Sequence, residues 1–231
     1  MNNNYVVATI KEWNISQYEQ QKKKLPGTWH LISTPEQLTI EQLRKINPRY
    51  VFFPHWSWIV SEEILNEFEC VCFHMTDLPF GRGGSPLQNL IQRGYKETQL
   101  TALKMNKQLD AGDIYLKHPL NLSGSAADIF LKAAQLTFIM IKQIVTSEPA
   151  ASPQQGQVVE FKRRTPAQSE IPKNLTIEQI YNHIRMLDAE SYPKAFIDYG
   201  DFRIEFKNAS INEQQTLTAQ IILSPKKQIE K

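Results

Sequence analysis

Apolar residues in the first half of the chain form short runs that alternate with helical patterns. Runs of strand length occupy residues 5–10, 29–33, 50–54 and 69–74, with helical segments between them. The run YVFFP at 50–54 has no charged position, as expected for a strand that is buried on both faces of a sheet. This alternation predicts an α/β fold with a Rossmann-like, mostly parallel sheet and helices on both faces.

The same periodicities continue to the end of the sequence. Helices are predicted at 14–24, 61–68, 85–93, 125–147 and 176–187. Strands are predicted at 98–105, 115–122, 158–161, 195–206 and 216–224. Another helix is expected to begin with Thr34 as its N-cap, because Pro35 suits the first helical position.

A change of composition near residue 150 suggests a domain boundary. Residues 148–157 (EPAASPQQGQ) lack bulky apolar side chains and are typical of a linker. The sequence therefore predicts a Rossmann-like catalytic domain at 1–150 and a small β-rich C-terminal domain at 151–231.

Composition and charge narrow the class of protein. Hydrophobic residues make up 41% and charged residues 22%, which suits a globular chain, and the net charge is only +2. This charge does not predict a nucleic-acid partner. Cys70 and Cys72 have neither metal-finger nor disulfide spacing, and no signal peptide or membrane span is apparent. A cytoplasmic enzyme without a metal or a membrane partner is expected, and a homodimer is compatible with the sequence.

Candidate chemistry is expected where the strands end, because ligands of such sheets bind beyond the carboxyl ends of the strands. His74 ends one strand, and Asp110 lies in a D-A-G turn between two others. Alone, each has an ordinary alternative, a structural histidine and an Asx turn. The segment FGRGGSP at 80–86 resembles a mobile turn more than a phosphate loop. The first strand lacks the G-x-G-x-x-G of an NAD or FAD site.

Taken together, these segments resemble the folate-dependent formyltransferases, which include methionyl-tRNA, glycinamide ribonucleotide and sugar N-formyltransferases. The pattern of that superfamily is N-x-H-x-S-L-L-P, then a glycine and proline loop, then an aspartate in a D-x-G turn. Here C-F-H-M-T-D-L-P (72–79), GRGGSP (81–86) and D-A-G (110–112) follow in this order. FKRRTP (161–166) and IRMLDAESYPKAF (184–196) resemble later segments of the tRNA and sugar enzymes.

The resemblance implies N10-formyltetrahydrofolate as the formyl donor. His74 would donate a hydrogen bond to the formyl oxygen, and Asp110 would hold the histidine and help to remove a proton from the amine. The residues implied in binding the folate are His55, Trp56, Trp58, Ile59, Val60, Leu109 and Asp110. The residues implied in binding the acceptor are Arg82, Gly83, Gly84, Arg163 and Arg164. Core packing is the alternative for the tryptophans, and simple solvation is the alternative for Arg82.

The sequence departs from the superfamily at Cys72, where the pattern has asparagine. A thiol is a poor hydrogen-bond donor, so half of the expected oxyanion site is missing. Either another group substitutes, such as Thr76 or a backbone N–H, or the site has lost catalysis. We favour substitution, since His74, Thr76, Pro79 and Asp110 are all present.

The acceptor is predicted from the short basic segment and from further resemblance. Lys162, Arg163 and Arg164 suit one diphosphate better than a tRNA surface. The stretch at 76–91 resembles formyltransferases of the pseudaminic acid pathway, which implies a nucleotide-linked amino sugar, namely a UDP-4-amino-4,6-dideoxy-N-acetyl hexose. The alternatives are a methionyl-tRNA formyltransferase-like enzyme and a catalytically silent folate-binding module.

Overall fold

The computed structural model describes residues 3–190 and 192–226. Its contacts divide the chain into two compact units. The first unit contains the chain up to Gly83 together with Thr98–Leu120 and Phe130–Phe161. The second contains Gly84–Glu97, Asn121–Ile129 and the chain from Lys162 onward. The proposed boundary at residue 150 stays a prediction. The segment from 148 to 157 hydrogen bonds to the first unit, since Ile114 and Ser152 exchange two backbone hydrogen bonds of 2.8 and 3.0 Å.

A six-stranded sheet, in the order β2-β1-β3-β4-β6-β7, forms the centre of the first unit. Its strands are β1 (Asn4–Ala8), β2 (Thr28–Ile32), β3 (Tyr50–Phe53), β4 (Cys70–His74), β6 (Glu97–Lys104) and β7 (Ile114–Asn121). The pairs β1–β2, β1–β3 and β3–β4 are parallel, whereas β6 runs antiparallel to β4. All four residues of β3 are buried, as its continuous apolar run predicts. The predicted mostly parallel α/β sheet is confirmed.

Two of the helices of this unit, α2 and α3, begin at a side chain that caps them. They are α1 (Glu12–Gln21), α2 (Ile40–Ile46), α3 (Glu62–Glu67) and the greater part of α5 (Ala126–Ser147). The hydroxyl of Ser61 accepts a hydrogen bond from the backbone N–H of Ile64, as predicted for α3. A helix does start after Thr34 with Pro35 at its first position, as predicted, but it is only a 3₁₀ turn (Pro35–Gln37), and α2 begins separately with Thr39 as its cap.

Helix α5 is the one helix among the described residues that is long and apolar enough to cross a membrane by length and composition. The fold buries 56% of its apolar window. Such burial is typical of a core helix in a globular protein. The sequence predicted no membrane span, because it contains no unbroken apolar run of sufficient length.

The glycine-rich segment predicted to be a mobile turn instead contains a strand. Phe80–Gly83 forms β5, which pairs in parallel with β8 (Val159–Phe161) in a separate two-stranded sheet. A Cβ atom at Gly83 would lie 2.6 Å from the carbonyl oxygen of Phe161, so the strands approach closely because position 83 is glycine.

The second unit consists of an antiparallel sheet and two short helices. Its elements are α4 (Pro86–Gln92), α6 (Ile177–Arg185), β9 (Ala195–Tyr199), β10 (Phe202–Ile211) and β11 (Leu217–Pro225). The strand predicted at 195–206 is interrupted by a turn at Gly200 and therefore forms β9 and the start of β10. The β-rich C-terminal part is confirmed. Ser191, within the predicted 184–196 motif, lies outside the described residues.

Candidate active site

His74 ends β4, and both nitrogens of its ring face oxygen atoms. Nε2 lies 2.7 Å from the carbonyl oxygen of Gly81, and it donates this hydrogen bond because a carbonyl can only accept. On the other side of the ring, Nδ1 lies 3.5 Å from Oδ1 of Asp110. Only 8% of the residue is exposed. The ring is therefore held in one orientation between a backbone carbonyl and a carboxylate.

Asp110 lies in the turn between β6 and β7, and it joins three parts of the first unit. Its φ of +53° is a left-handed conformation that aspartate tolerates better than most residues. Its Oδ2 accepts a hydrogen bond of 2.9 Å from the backbone N–H of Gly83. Its own carbonyl accepts one of 2.8 Å from the side-chain amide of Gln154. These contacts bring together His74, Asp110 and Gly83, as the order of the motifs predicted.

Gln154 is a member of this site that the sequence did not reveal. Its Oε1 accepts hydrogen bonds of 3.1 and 2.7 Å from Nε and Nη2 of Arg82. Its Nε2 also donates to the carbonyl oxygen of Gly112. Arg82 is therefore anchored and is not a freely solvated loop residue. The only sequence signal was the segment 148–157, whose composition we interpreted as a linker.

Gly81 is closely surrounded on the side where a side chain would lie. Its φ is +80°, and a Cβ atom there would lie 2.7 Å from Cγ2 of Thr76 and 2.8 Å from Cε2 of Phe161. Thr76 is fully buried, and its hydroxyl lies 3.4 Å from the carbonyl oxygen of Gly81. Thr76 therefore supports the carbonyl to which His74 donates. Its predicted catalytic role stays a prediction.

Cys72 packs beside this site as a neutral thiol. Burial, and secondarily the charge of Asp110, raises the pKa of the Cys72 thiol far above its usual range. A protonated, partly buried thiol is neither a strong hydrogen-bond donor nor a nucleophile at neutral pH. The position that carries asparagine in the superfamily pattern thus supplies no strong donor.

A second group of side chains, which we call the aromatic cluster, lies near the carboxyl ends of β1 and β3. The rings of Trp13 and Phe130 stack with centroids 5.3 Å apart, and His55 meets Phe130 edge-on at 5.0 Å. Asn14 approaches Nδ1 of His55 with its Nδ2 at 3.4 Å. The aromatic cluster consists of Trp13, Asn14, His55 and Phe130.

Several buried polar atoms in this region hydrogen bond to none of the described residues. They are the hydroxyl of Thr9, the indole nitrogens of Trp13 and Trp56, and Oδ1 of Asn14. Buried polar groups are paired in most folded proteins, so each unpaired one requires an explanation. The sequence offered no signal for Thr9, Trp13 or Asn14.

The residues predicted to bind folate differ in exposure. Val60 is buried and Trp56 is half-buried, and both belong to or pack against the hydrophobic core. Ile59 is 99% exposed and Leu109 is 73% exposed. Trp58 is also exposed, with its ring centroid 5.3 Å from that of Trp56. Their folate contacts stay a prediction.

The remaining predicted acceptor-binding residues belong to the second unit. A Cβ atom at Gly84 would lie 2.5 Å from Cβ of the exposed Arg163, so the two chain segments approach closely there. Arg164 donates to Gln92 and to the carbonyl oxygen of Gln168. Desolvation by burial lowers the pKa of Arg164. Within the described residues, no three His, Cys, Asp or Glu side chains are arranged to hold a metal ion.

Comparison with known proteins identifies the class. Residues 8–125 match the family model described as formyl transferase. Residues 166–224 match that of the methionyl-tRNA formyltransferase C-terminal domain. The chain therefore belongs to the formyl transferase family, and the predicted superfamily is confirmed.

Individual relatives place the chain more narrowly. A solved methionyl-tRNA formyltransferase from Clostridium thermocellum is 46% identical, with a TM-score of 0.93, and the match covers 96% of this chain and 99% of that chain. The methionyl-tRNA formyltransferase of Sulfurihydrogenibium sp. is 26% identical over 75% of this chain. This chain spans only 58% of that relative. HypX from Aquifex aeolicus, solved in complex with tetrahydrofolic acid, is 13% identical over 93% of this chain and 39% of that chain, with a TM-score of 0.75, and therefore shares the fold.

These relatives overturn two expectations. The predicted acceptor, a UDP-linked amino sugar of pseudaminic acid synthesis, is wrong. The Clostridium thermocellum structure, which is 46% identical, and the curated relatives are methionyl-tRNA formyltransferases. The expectation of no nucleic-acid partner is wrong for the same reason. A net charge of +2 averages over the whole chain and says nothing about a local group such as Lys162, Arg163 and Arg164.

Proposed function

We propose that this chain transfers a formyl group from N10-formyltetrahydrofolate to the amino group of methionyl-tRNA. The observation that carries the proposal is the 46% identity, over 96% of the chain, with a methionyl-tRNA formyltransferase. The HypX complex with tetrahydrofolic acid adds that this fold can hold a folate. A cytoplasmic location follows for an enzyme that acts on tRNA.

In this reaction the lone pair of the neutral amine attacks the formyl carbon. A new carbon–nitrogen bond forms, the bond from the formyl carbon to N10 of the folate breaks, and N10 leaves with a proton. Negative charge develops on the formyl oxygen before that bond breaks, so donors directed at this oxygen lower the barrier. His74 supplies one such donor, with Asp110 beside Nδ1 to hold the ring.

The carbonyl of Gly81 decides when His74 can act. The Gly81 carbonyl oxygen accepts the hydrogen bond from Nε2 at a distance of 2.7 Å, which is also the distance at which a formyl oxygen would accept it. Catalysis by His74 therefore needs the formyl oxygen to replace the Gly81 carbonyl as acceptor. The proton lost by the amine passes through water to Asp110, whose Oδ2 is otherwise paired with the N–H of Gly83, and it is then returned through water to N10 as the folate leaves.

The loop from His55 to Val60, together with Leu109 and Asp110, supplies the proposed folate contacts. Ile59 and Leu109 expose their apolar side chains, so both are accessible for contact with a bound ligand. Lys162, Arg163 and Arg164 supply the proposed phosphate contacts to tRNA, and Arg82 braces the site through Gln154.

The test is formyl transfer to methionyl-tRNA in the presence of N10-formyltetrahydrofolate, followed by mass spectrometry of the released amino acid. We expect formylmethionine from the wild-type chain, and a loss of at least about 100-fold for His74→Ala. Binding of tRNA should weaken steeply with salt, because it neutralises phosphates. Absence of formylmethionine, together with salt-independent binding, would contradict the proposal.

A second candidate is a folate-binding protein without transferase activity. Two observations favour it. Cys72 supplies no strong donor, and Nε2 of His74 already donates its hydrogen bond to the carbonyl oxygen of Gly81. Calorimetry separates the two candidates. Tight folate binding without transfer to tRNA supports the second, and turnover rejects it.

A further inference from the structure

His55 follows β3 by two residues, and His74 ends β4, the neighbouring strand of the sheet. Strands β3 and β4 are parallel neighbours, and Phe53 pairs with Cys72. Continued for two residues beyond the observed pairs, this register would bring His55 to the level of His74, and His74 is one of the charges that lower the pKa of His55. Neighbouring strands lie about 4.8 Å apart, so the ends of β3 and β4 place the two histidines at the same edge of the sheet. His55 has a φ of +52°, a left-handed conformation that places it outside the strand.

Asn14 selects which nitrogen of His55 carries a proton. Its Nδ2 approaches the carbonyl oxygen of Pro54 at 3.5 Å and Nδ1 of His55 at 3.4 Å. Since the Pro54 carbonyl can only accept, the amide is oriented with its N–H₂ toward both atoms. Nδ1 of His55 then accepts a hydrogen bond, and in the neutral ring Nε2 carries the proton.

The ring is neutral at physiological pH. Desolvation by burial, and then the charges of Lys11 and His74, lower the pKa of His55 to about 4. Edge-on contacts with Trp13 and Phe130 hold the ring in place. Among the described residues, no hydrogen-bond acceptor meets Nε2 of His55. A neutral imidazole with a free N–H is a competent donor to a carbonyl oxygen that is gaining charge.

We propose that Nε2–H of His55 donates a hydrogen bond to the formyl oxygen of the bound folate and so acts as a catalytic residue beside His74. The inference rests on the proposed function, because it presupposes a formyl donor at the ends of β3 and β4. It also explains how the site can operate although Cys72 supplies no strong donor. His55 thus has a catalytic role in addition to the folate contact predicted for its loop.

The first test compares two substitutions in the transfer assay with methionyl-tRNA. His55→Phe keeps an aromatic ring but removes the donor, and we expect kcat to fall by about 100-fold while the Kd for N10-formyltetrahydrofolate changes little. His55→Gln keeps an N–H donor near the position of Nε2 and should retain most of the activity. Both variants carry the same left-handed backbone, so urea unfolding of each shows whether the fold is equally retained. If both variants turn over like the wild type, the inference is wrong.

A second test needs no acceptor and is therefore independent of the proposed tRNA acceptor. In ¹⁵N-labelled protein, the signal lost in His55→Gln identifies His55 among the five histidines. We expect the Nε2–H tautomer at pH 7, and a shift of its Nε2 resonance with N10-formyltetrahydrofolate that tetrahydrofolate does not produce. An Nδ1–H tautomer, an equal response to both folates or no response would overturn the inference. Failure of transfer to tRNA with the expected shift would contradict only the proposed acceptor.

Discussion

The two histidine regions at the edge of the sheet differ in how completely their polar atoms are paired. Around His74, Nε2 hydrogen bonds to the Gly81 carbonyl, Nδ1 lies 3.5 Å from the Asp110 carboxylate, and Asp110 hydrogen bonds to Gly83 and Gln154. Around His55, by contrast, the described residues leave the buried polar atoms of Thr9, Trp13, Asn14 and Trp56 without partners. A paired network is rigid and specifies one geometry, whereas unpaired buried groups lower stability unless a ligand satisfies them. This difference supports the proposal that the His74 region is assembled in advance and that a bound folate completes the His55 region.

The largest effect is expected from breaking the paired region at its carboxylate. Asp110→Asn keeps the shape but changes the group that faces Nδ1 of His74, so we expect kcat to fall by about 100-fold or more. Asp113→Asn is the matched control, because Asp113 is exposed in the same turn and its carboxylate contacts none of the described side chains. Steady-state kinetics of both variants provide the measurement. Equal rates for the two variants would remove Asp110 from the mechanism.

The next effect concerns the carbonyl that occupies His74. Gly81→Ala should lower the free energy of unfolding by the left-handed cost of about 1–2 kcal/mol, plus about 1–3 kcal/mol for overpacking against Thr76 and Phe161. Gly94→Ala has a similar φ of +79° and nothing within 4 Å, so it should show only the first cost. Urea unfolding of the two variants isolates the steric part. Equal losses would show that position 81 tolerates a side chain.

A pair of threonines measures the difference in pairing directly. Thr9 and Thr101 are both fully buried, but only the Thr101 hydroxyl has a partner, the Thr76 carbonyl at 2.7 Å. Thr101→Val should therefore lower stability by about 1–2 kcal/mol. Thr9→Val should raise it by up to about 1 kcal/mol, because it removes an unpaired buried hydroxyl. Thermal unfolding without folate gives both values. Changes of the same sign would show that the two regions are equally well paired.

The smallest effect is expected at Cys72. Cys72→Ser should change turnover by less than about 3-fold, because the thiol is protonated and only packs. Cys72→Ala, which cannot donate at all, is the comparison. A collapse of activity in both variants with an intact fold, measured by circular dichroism, would make the thiol a working group.

The sequence by itself determined the α/β class, the buried β3 strand and the cap at Ser61, because periodicity and capping are local properties. The partnership of His74 and Asp110 came from their resemblance to the formyltransferase motifs and not from strand geometry, because β6 runs antiparallel to β4 and the two strands end at opposite edges of the sheet. The sequence did not identify the acceptor, because net charge and one short basic segment do not report the shape of a binding surface.

Only the tertiary structure decided the hydrogen bonds of the site. Gln154 lies 72 residues from Arg82, and its segment has the composition of a linker. Gly81 belongs to a strand only because β8 pairs with it, and composition alone favours a loop. The ring nitrogen of His55 that carries the proton depends on Asn14, which lies in α1. Such partners follow from distances of a few ångströms between remote segments, which neither the spacing nor the composition of the chain encodes.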